Sequence, residues 1–99
     1  MVELFQPVSL AGMTLRNRLM RSATAERRSE ADGTPGPDLA AMMAQLASGG
    51  VGLIVMGHTF VRPDGKASLG MAGLWRDDQI PAFAQVAQAA KTAGAAIAV

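Results

Sequence analysis

The feature that most constrains this chain is the order in which strand-like and helix-like apolar patterns follow one another. Residues 38–48 and 79–92 place apolar side chains three or four positions apart, which predicts two helices. Residues 51–56 and 95–99 are nearly continuous apolar runs beside glycine, which predicts strands covered on both faces. Alternation of strands and helices predicts a parallel α/β sheet.

The loops differ in length according to the elements that they join. Long polar loops over residues 25–37 and 57–75 follow predicted strands, whereas the turns from helix to strand are short, at Gly49-Gly50 and Gly94. In a (β/α)8 barrel the loops after the strands build the active site, so this asymmetry favours a barrel. A doubly wound sheet is the second candidate, but it more often has a glycine-rich turn after its first strand, which this sequence lacks.

The first residues predict a β-hairpin. Two short stretches alternate apolar and polar side chains on either side of Ala11-Gly12, a connection of two residues that contains glycine. We therefore assign residues 1–16 to a hairpin, followed by a short strand over residues 19–24. The βα units are expected to occupy residues 19–99.

The length of the chain is short for a barrel. A complete (β/α)8 barrel takes roughly 200 to 250 residues, so this chain supplies about two and a half βα units. The sequence also ends at Val99, inside a predicted apolar strand. We therefore expect residues 1–99 to be the N-terminal fragment of a single barrel domain, a TIM barrel with a leading hairpin.

The two predicted helices have typical ends and apolar faces. Pro37 suits the first turn of the helix over residues 38–48. Asp77-Asp78 can cap the helix over residues 79–92. The side chains expected to form the buried face of this second helix are those of Ile80, Phe83, Ala84, Ala87 and Ala90.

The composition argues against several classes of function. Apolar residues make up 49% and charged residues 17%, a folding composition, and the net charge of +1 does not indicate nucleic-acid or membrane binding. There is no cysteine, and the single histidine, His58, lacks partners at metal-ligand spacing, so no disulfide or metal site is predicted. No apolar stretch has the length of a membrane span and no signal peptide is recognised, so a cytoplasmic protein is expected.

Several short motifs occur in one order along nearly the whole chain. They are Leu4-Phe5-x-Pro7, Leu15-x-Asn17-Arg18, Ser22-Ala23-Thr24, Asp32-Gly33, Gly49-Gly50-Val51-Gly52-Leu53-Ile54, Val61-x-Pro63-x-Gly65, and Gly73-Leu74-Trp75 with Asp77-Asp78. Each motif alone is weakly specific. Together and in this order they resemble the N-terminal portion of the old yellow enzyme family, the NADH:flavin oxidoreductases.

The resemblance implies a (β/α)8 barrel whose hairpin closes the bottom, with non-covalent FMN as cofactor and NAD(P)H as co-substrate. It implies hydride transfer through the flavin to a small activated alkene, such as an α,β-unsaturated carbonyl, and we expect a homo-oligomer at full length. The family's catalytic residues correspond to positions beyond Val99, so no catalytic residue is predicted in this chain.

The resemblance also implies which residues contact the flavin. By the match these are Ser22, Ala23 and Thr24 at the end of the first strand, and His58 at the end of the second. Ala25 departs from the family, because many members have threonine or cysteine there, whose side chain hydrogen-bonds the flavin. His58 also departs from it, because a small residue is common at that position.

Structural explanations compete with these assignments. In the structural explanation, His58 has no role in binding, and the hydroxyl groups within residues 22–24 only cap the end of a strand. We expect Asn17-Arg18 to anchor the hairpin rather than bind a ligand, and the charges of residues 26–28 to form a solvated face. A function of another class also stays open, in which the chain is a non-catalytic barrel fragment that acts as an assembly or interaction piece.

Overall fold

A computed structural model describes residues 3–99, in which strands and helices alternate. The strands are β1 (Val8–Leu10), β2 (Met13–Leu15), β3 (Met20–Arg21), β4 (Leu53–Val55), β5 (Thr59–Phe60), β6 (Ala72–Gly73) and β7 (Ala96–Ala98), and the helices are α1 (Pro37–Ser48) and α2 (Ile80–Thr92). Single turns of 3-10 helix lie at residues 3–5, 63–65 and 77–79.

The predicted hairpin is confirmed. Strand β1 pairs antiparallel with β2, and Val8 lies opposite Leu15. Both residues of the connecting turn have positive φ, 50° at Ala11 and 83° at Gly12. Turns of this kind match the right-handed twist of the two strands, which explains why a two-residue connection suffices.

The central sheet is parallel, as predicted, and its strand order β3-β4-β7 follows the sequence. The two helices pack together against one face of this sheet. Their shared core consists of Leu39, Met43 and Ala47 from α1, Val86 and Ala90 from α2, and Ile54, Met56 and Ala95 from β4 and the flanks of the strands. A doubly wound sheet has helices on both faces, so the arrangement is that of a barrel wall.

An arginine at the amino end of the sheet joins the hairpin to both helices. The guanidinium of Arg16 donates to the carbonyl oxygens of Val51 at 2.8 Å and Ala93 at 3.0 Å, and also to that of Ala47. Ala47 lies in the last turn of α1, and Ala93 directly follows α2. The positive charge therefore meets the negative ends of two helix dipoles.

Asn17 completes this joint. It is 8% exposed, its side-chain amide donates to the carbonyl oxygen of Gly50 at 2.6 Å, and its side-chain oxygen accepts from the amide of Leu19 at 3.0 Å. The anchoring interpretation of Asn17 is confirmed. Its neighbour Arg18 is exposed, and the arginine that takes part in the joint is Arg16.

The second long loop differs from the prediction, because it contains two short strands. Strand β5 pairs parallel with β6, and Phe60 lies beside Gly73. Strands of two residues are too short to show an apolar alternation in the sequence. They are fixed by packing instead, since a Cβ added at Gly33 of the first loop would lie 2.5 Å from the amide nitrogen of Gly73.

The start of α2 also differs from the prediction. No side-chain hydrogen bond from Asp77 or Asp78 caps this helix; Asp78 instead accepts from the guanidinium of Arg76 at 2.5 Å. The side-chain oxygen of the fully buried Gln79 accepts from the backbone amide of Trp75 at 2.9 Å. The carboxylates of Asp77 and Asp78 were the more obvious capping groups, but both residues are exposed, whereas the neutral Gln79 is buried.

The predicted buried face of α2 is only partly buried. Ala90 is buried, whereas Ile80 is 54% exposed and Ala84 is also exposed. Much of this face, with Ile97 and Val99, lines an open apolar cleft of about 270 Å³. The apolar periodicity therefore identified an apolar face correctly, but it did not show which part of it is covered.

Candidate functional site

The carboxyl ends of the three parallel strands meet at one edge of the sheet. Residues 22–24 follow β3, residues 56–58 follow β4, and Val99 follows β7. They border a cleft of about 380 Å³ that is lined by Ala23, Met56, Gly57, His58, Thr59, Val61, Leu74 and Val99. Two of the predicted site residues, Ala23 and His58, thus line the same cleft, as expected for loops at the carboxyl side of a barrel.

The other two predicted site residues, Ser22 and Thr24, flank Ala23 in an exposed segment without regular secondary structure. The hydroxyl of Thr24 donates to the carbonyl oxygen of Ser22 at 3.0 Å. Among residues 3–99, the backbone amides of Ala23 and Thr24 have no hydrogen-bond acceptor. Residues 22–24 therefore have two backbone N–H groups that are unpaired within the described residues, at Ala23 and Thr24, and the bond between Thr24 and Ser22 stabilises the shape of the segment.

His58 is exposed at the mouth of the cleft. Within the described part of the chain its imidazole makes no hydrogen bond to another residue. Behind it lies a narrow gap, too small for a water molecule, that is also lined by Ala25, Glu26 and Arg27. His58 therefore faces both the open cleft and the first loop, which leaves its ring nitrogens accessible to a ligand.

The predicted solvated face at residues 26–28 is wrong for its first member. The side chain of Glu26 is only 5% exposed and pairs with Arg21 at 2.6 Å, whereas Arg27 and Arg28 are exposed. One signal in the sequence pointed to this pair. Arg21 stands in an otherwise apolar strand, and a buried arginine needs a carboxylate or several carbonyl partners nearby.

A second group of contacts ties the first loop to the start of α2. The carbonyl oxygen of Asp32 accepts from the indole of Trp75 and from the side-chain amide of Gln79, each at 2.9 Å. Its carboxylate pairs with Arg76, whose guanidinium lies 4.8 Å from the centre of the Trp75 ring. Hydrogen bonds from Thr34, first from its backbone amide, and the Arg76 pair lower the pKa of Asp32 below its ordinary value.

A parallel βα wall with long loops collected at the carboxyl ends of its strands defines this chain as part of an α/β barrel. The chain belongs to the NADH:flavin oxidoreductase / NADH oxidase family, whose model matches residues 3–99. The resemblance inferred from the ordered motifs is thereby confirmed.

Within residues 3–99, neither helix has the length and apolar character needed to cross a membrane.

Individual relatives agree with this assignment. The chain is 34% identical over 96 residues to an NADPH dehydrogenase of Bacillus subtilis, covering 96% of the chain and 28% of that relative. It matches the crystal structure of the old yellow enzyme homologue from Zymomonas mobilis with a TM-score of 0.87 and 30% identity, over 96% of the chain and 26% of that structure. For morphinone reductase in complex with tetrahydroNAD, the TM-score is 0.85 and the identity 29%, over 96% of the chain and 25% of that structure.

The chain spans a little over a quarter of the length of the relatives that it matches, and nearly all of its own residues lie in the match. The fold is thus that of the corresponding portion of the old yellow enzyme barrels.

Proposed function

We propose that this chain is the N-terminal part of an FMN-dependent oxidoreductase that passes hydride from NAD(P)H to an α,β-unsaturated carbonyl or a similar acceptor. The observation that favours this function most is the cleft at the strand ends, in which Ala23 and His58 come together from different strands. Residues 1–99 would belong to a single FMN-binding barrel domain, with the hairpin at residues 1–16 and the βα units at residues 19–99.

The residues at the strand ends fit a flavin. The ring system of FMN is flat, with apolar faces and hydrogen-bonding edges, and the small side chain of Ala23 leaves room for it. The free amides of Ala23 and Thr24 can donate to its acceptor atoms. When bound, the cofactor supplies the hydride chemistry, and the protein supplies binding, orientation and electrostatics.

Each predicted site residue has a distinct role in this proposal. Ser22, Ala23 and Thr24 hold the cofactor through the backbone of their turn, whose shape the hydroxyl of Thr24 stabilises. His58 donates or accepts a hydrogen bond at the cofactor or at the acceptor molecule from the mouth of the cleft. Ala25 has no side-chain donor, so the reduction potential of the flavin would depend on the other residues at this edge.

Flavin binding by the complete protein tests the proposal. We expect the purified protein to hold FMN and NADPH to bleach its visible absorbance. Ala23→Leu would project a larger side chain into the cleft and weaken FMN binding by about tenfold or more. The matched control is Ala41→Leu, the same change at an exposed position of α1, which should leave the dissociation constant unchanged. A complete protein that holds no flavin after reconstitution would refute the function, and equal affinities of the two variants would refute the site.

The wider properties are also proposals. We propose a cytoplasmic enzyme that forms a homo-oligomer at full length and acts on a small molecule, with no role in binding nucleic acid. The basis is the family membership together with the near-neutral charge of the chain.

The exposed apolar cleft beside α2 favours a second candidate, a barrel fragment without catalysis that acts as an assembly piece. This cleft includes Ile80, Phe83 and Val99, of which Val99 is 71% exposed. Sedimentation of the 99-residue chain separates the two candidates. A discrete folded oligomer would favour the assembly piece, whereas an aggregating or molten chain would leave only the flavoenzyme.

A further inference from the structure

A buried ion pair lies directly beneath the candidate site. The guanidinium of Arg21, at the end of β3, contacts the carboxylate of Glu26 in the first loop at 2.6 Å. Their side chains are only 14% and 5% exposed. Burying two charges is costly unless both are paired and hydrogen-bonded, so the other partners of the pair matter.

The remaining hydrogen bonds of the pair connect the ends of two neighbouring strands. Arg21 also donates to the carbonyl oxygen of Val55 at 3.1 Å, and to that of Thr24 at 2.9 Å. The Glu26 oxygen that meets Arg21 also accepts from the backbone amide of Gly57 at 2.8 Å. The pair is therefore hydrogen-bonded both to the segment that follows β3 and to the end of β4 with the segment that follows it.

Close packing shows how tightly the two turns are held together. A Cβ added at Gly57 would lie 2.6 Å from the carbonyl oxygen of Thr24 and 2.8 Å from the carboxylate of Glu26. Gly57 is thus in direct contact with the segment that contains Thr24 and Glu26, and there is no room for a side chain at position 57. Ala23 and His58, which line the cleft, are the immediate neighbours of Thr24 and Gly57.

We propose that Arg21 and Glu26 are positioning residues, which set the spacing between the two backbone segments that hold the flavin, residues 22–24 and 57–58. This inference rests on the proposed function. The pair itself does not need to touch the cofactor, because it acts through the carbonyl oxygen of Thr24 and the amide of Gly57. Loss of the pair would allow the two turns to move relative to each other and would change how they fit the flavin.

The experiment replaces the pair in the complete flavin-loaded protein without leaving a buried charge alone. Arg21→Met combined with Glu26→Met removes all four hydrogen bonds and keeps the volume apolar, a change that folded proteins often tolerate. We expect weaker FMN binding, by about tenfold or more, with a shifted visible spectrum and a changed flavin reduction potential. Glu26→Gln keeps an acceptor for the amide of Gly57 and should restore part of the affinity.

Two further variants make the result decisive. Arg21→Lys keeps the charge and the pairing with Glu26 but cannot reproduce the planar fork that reaches Val55 and Thr24, so the flavin spectrum should shift even if the double variant does not fold. Arg16→Met, at the opposite end of the sheet, should lower stability but leave the spectrum and potential of the bound flavin unchanged.

The outcomes separate this inference from the proposed function. If the wild-type protein binds FMN and the Arg21→Lys variant matches its affinity, spectrum and potential, the positioning role is overturned and the proposed function stands. If Arg16→Met shifts the spectrum as much as the Arg21 variants do, the effect is one of general stability and the inference fails. If the wild-type protein binds no FMN, both fail together.

Discussion

Two arginines, Arg16 and Arg21, lie at opposite ends of the same parallel sheet, and their partners differ. Arg16 donates only to backbone carbonyl oxygens, two of which are at the ends of helices. Arg21 donates to two carbonyl oxygens and to the carboxylate of Glu26. The contacts of Arg16 attach the hairpin and both helices to the sheet. The contacts of Arg21 and Glu26 hold the segments after β3 and β4 together.

The difference shows how one residue type can meet different partners at the two ends of a barrel wall. Helix ends offer fixed partial charges, so Arg16 needs no counterion. The loops at the carboxyl end lead into the amino ends of helices, which carry partial positive charge, so Arg21 pairs with a carboxylate from the first loop instead. We therefore expect changes at the Arg16 joint to affect folding, and changes at the Arg21 joint to affect the ligand.

The largest effect on stability is expected from Arg16→Met, which leaves the carbonyl oxygens of Ala47, Val51 and Ala93 without this donor. We expect the free energy of unfolding of the complete protein to fall by about 3 kcal/mol, measured by urea denaturation. Arg18→Met is the matched control, since Arg18 is exposed and its change should cost less than about 0.5 kcal/mol. Equal losses for the two variants would mean that the hydrogen bonds of Arg16 do not stabilise the fold.

A smaller loss is expected from Gly94→Ala. Gly94 has φ of 97°, and an added Cβ would collide with the guanidinium of Arg16, so we expect a loss of about 2 kcal/mol. Gly50→Ala is the control, because Gly50 has φ of 108° but nothing within 4 Å of an added Cβ. It reports the backbone strain alone, about 1 kcal/mol. If both variants lose the same amount, contact with Arg16 adds nothing at Gly94.

The smallest effect concerns the exposed ion pair of Asp32 and Arg76, whose side chains are 35% and 39% exposed. The pKa of Asp32 is lowered from its ordinary value of 3.8. Its ionised form therefore stabilises the fold fully above pH 3.8, and this contribution is lost as the pH falls through the lower folded pKa. We expect wild type to have a slightly higher melting temperature than Asp32→Asn at pH 7, with the difference vanishing in strong acid. A difference that grows on acidification would give the opposite sign and contradict the assignment.

The regular elements could be predicted because they follow from local patterns. The apolar spacing in α1 and α2, the Ala11-Gly12 turn and the continuous apolar run before Met56 each indicate their element without reference to the rest of the chain. Strands β5 and β6 could not be predicted this way, since packing of Phe60 against distant glycines defines them.

The candidate site could be predicted only in part. The ordered motifs located Ala23 and His58, and the fold brings both to one cleft. Glu26 was misjudged because it precedes two exposed arginines in sequence, whereas its partner Arg21 precedes it by five positions on β3. The sequence also does not show the positive φ at Arg27, 56°, which turns the chain directly after Glu26.

The contacts of Gln79 have a consequence for the kinetics of folding. Its buried amide joins Asp32 and Thr34 of the first loop to the start of α2, across 47 and 45 positions of the chain. Closing a loop of that length lowers the conformational entropy of the chain before the hydrogen bonds of Gln79 can form and stabilise it. If α1 and β4 form first, they shorten the unfolded stretch between the two partners. The junction at Gln79 would then be among the last parts of this wall to form and the first to open.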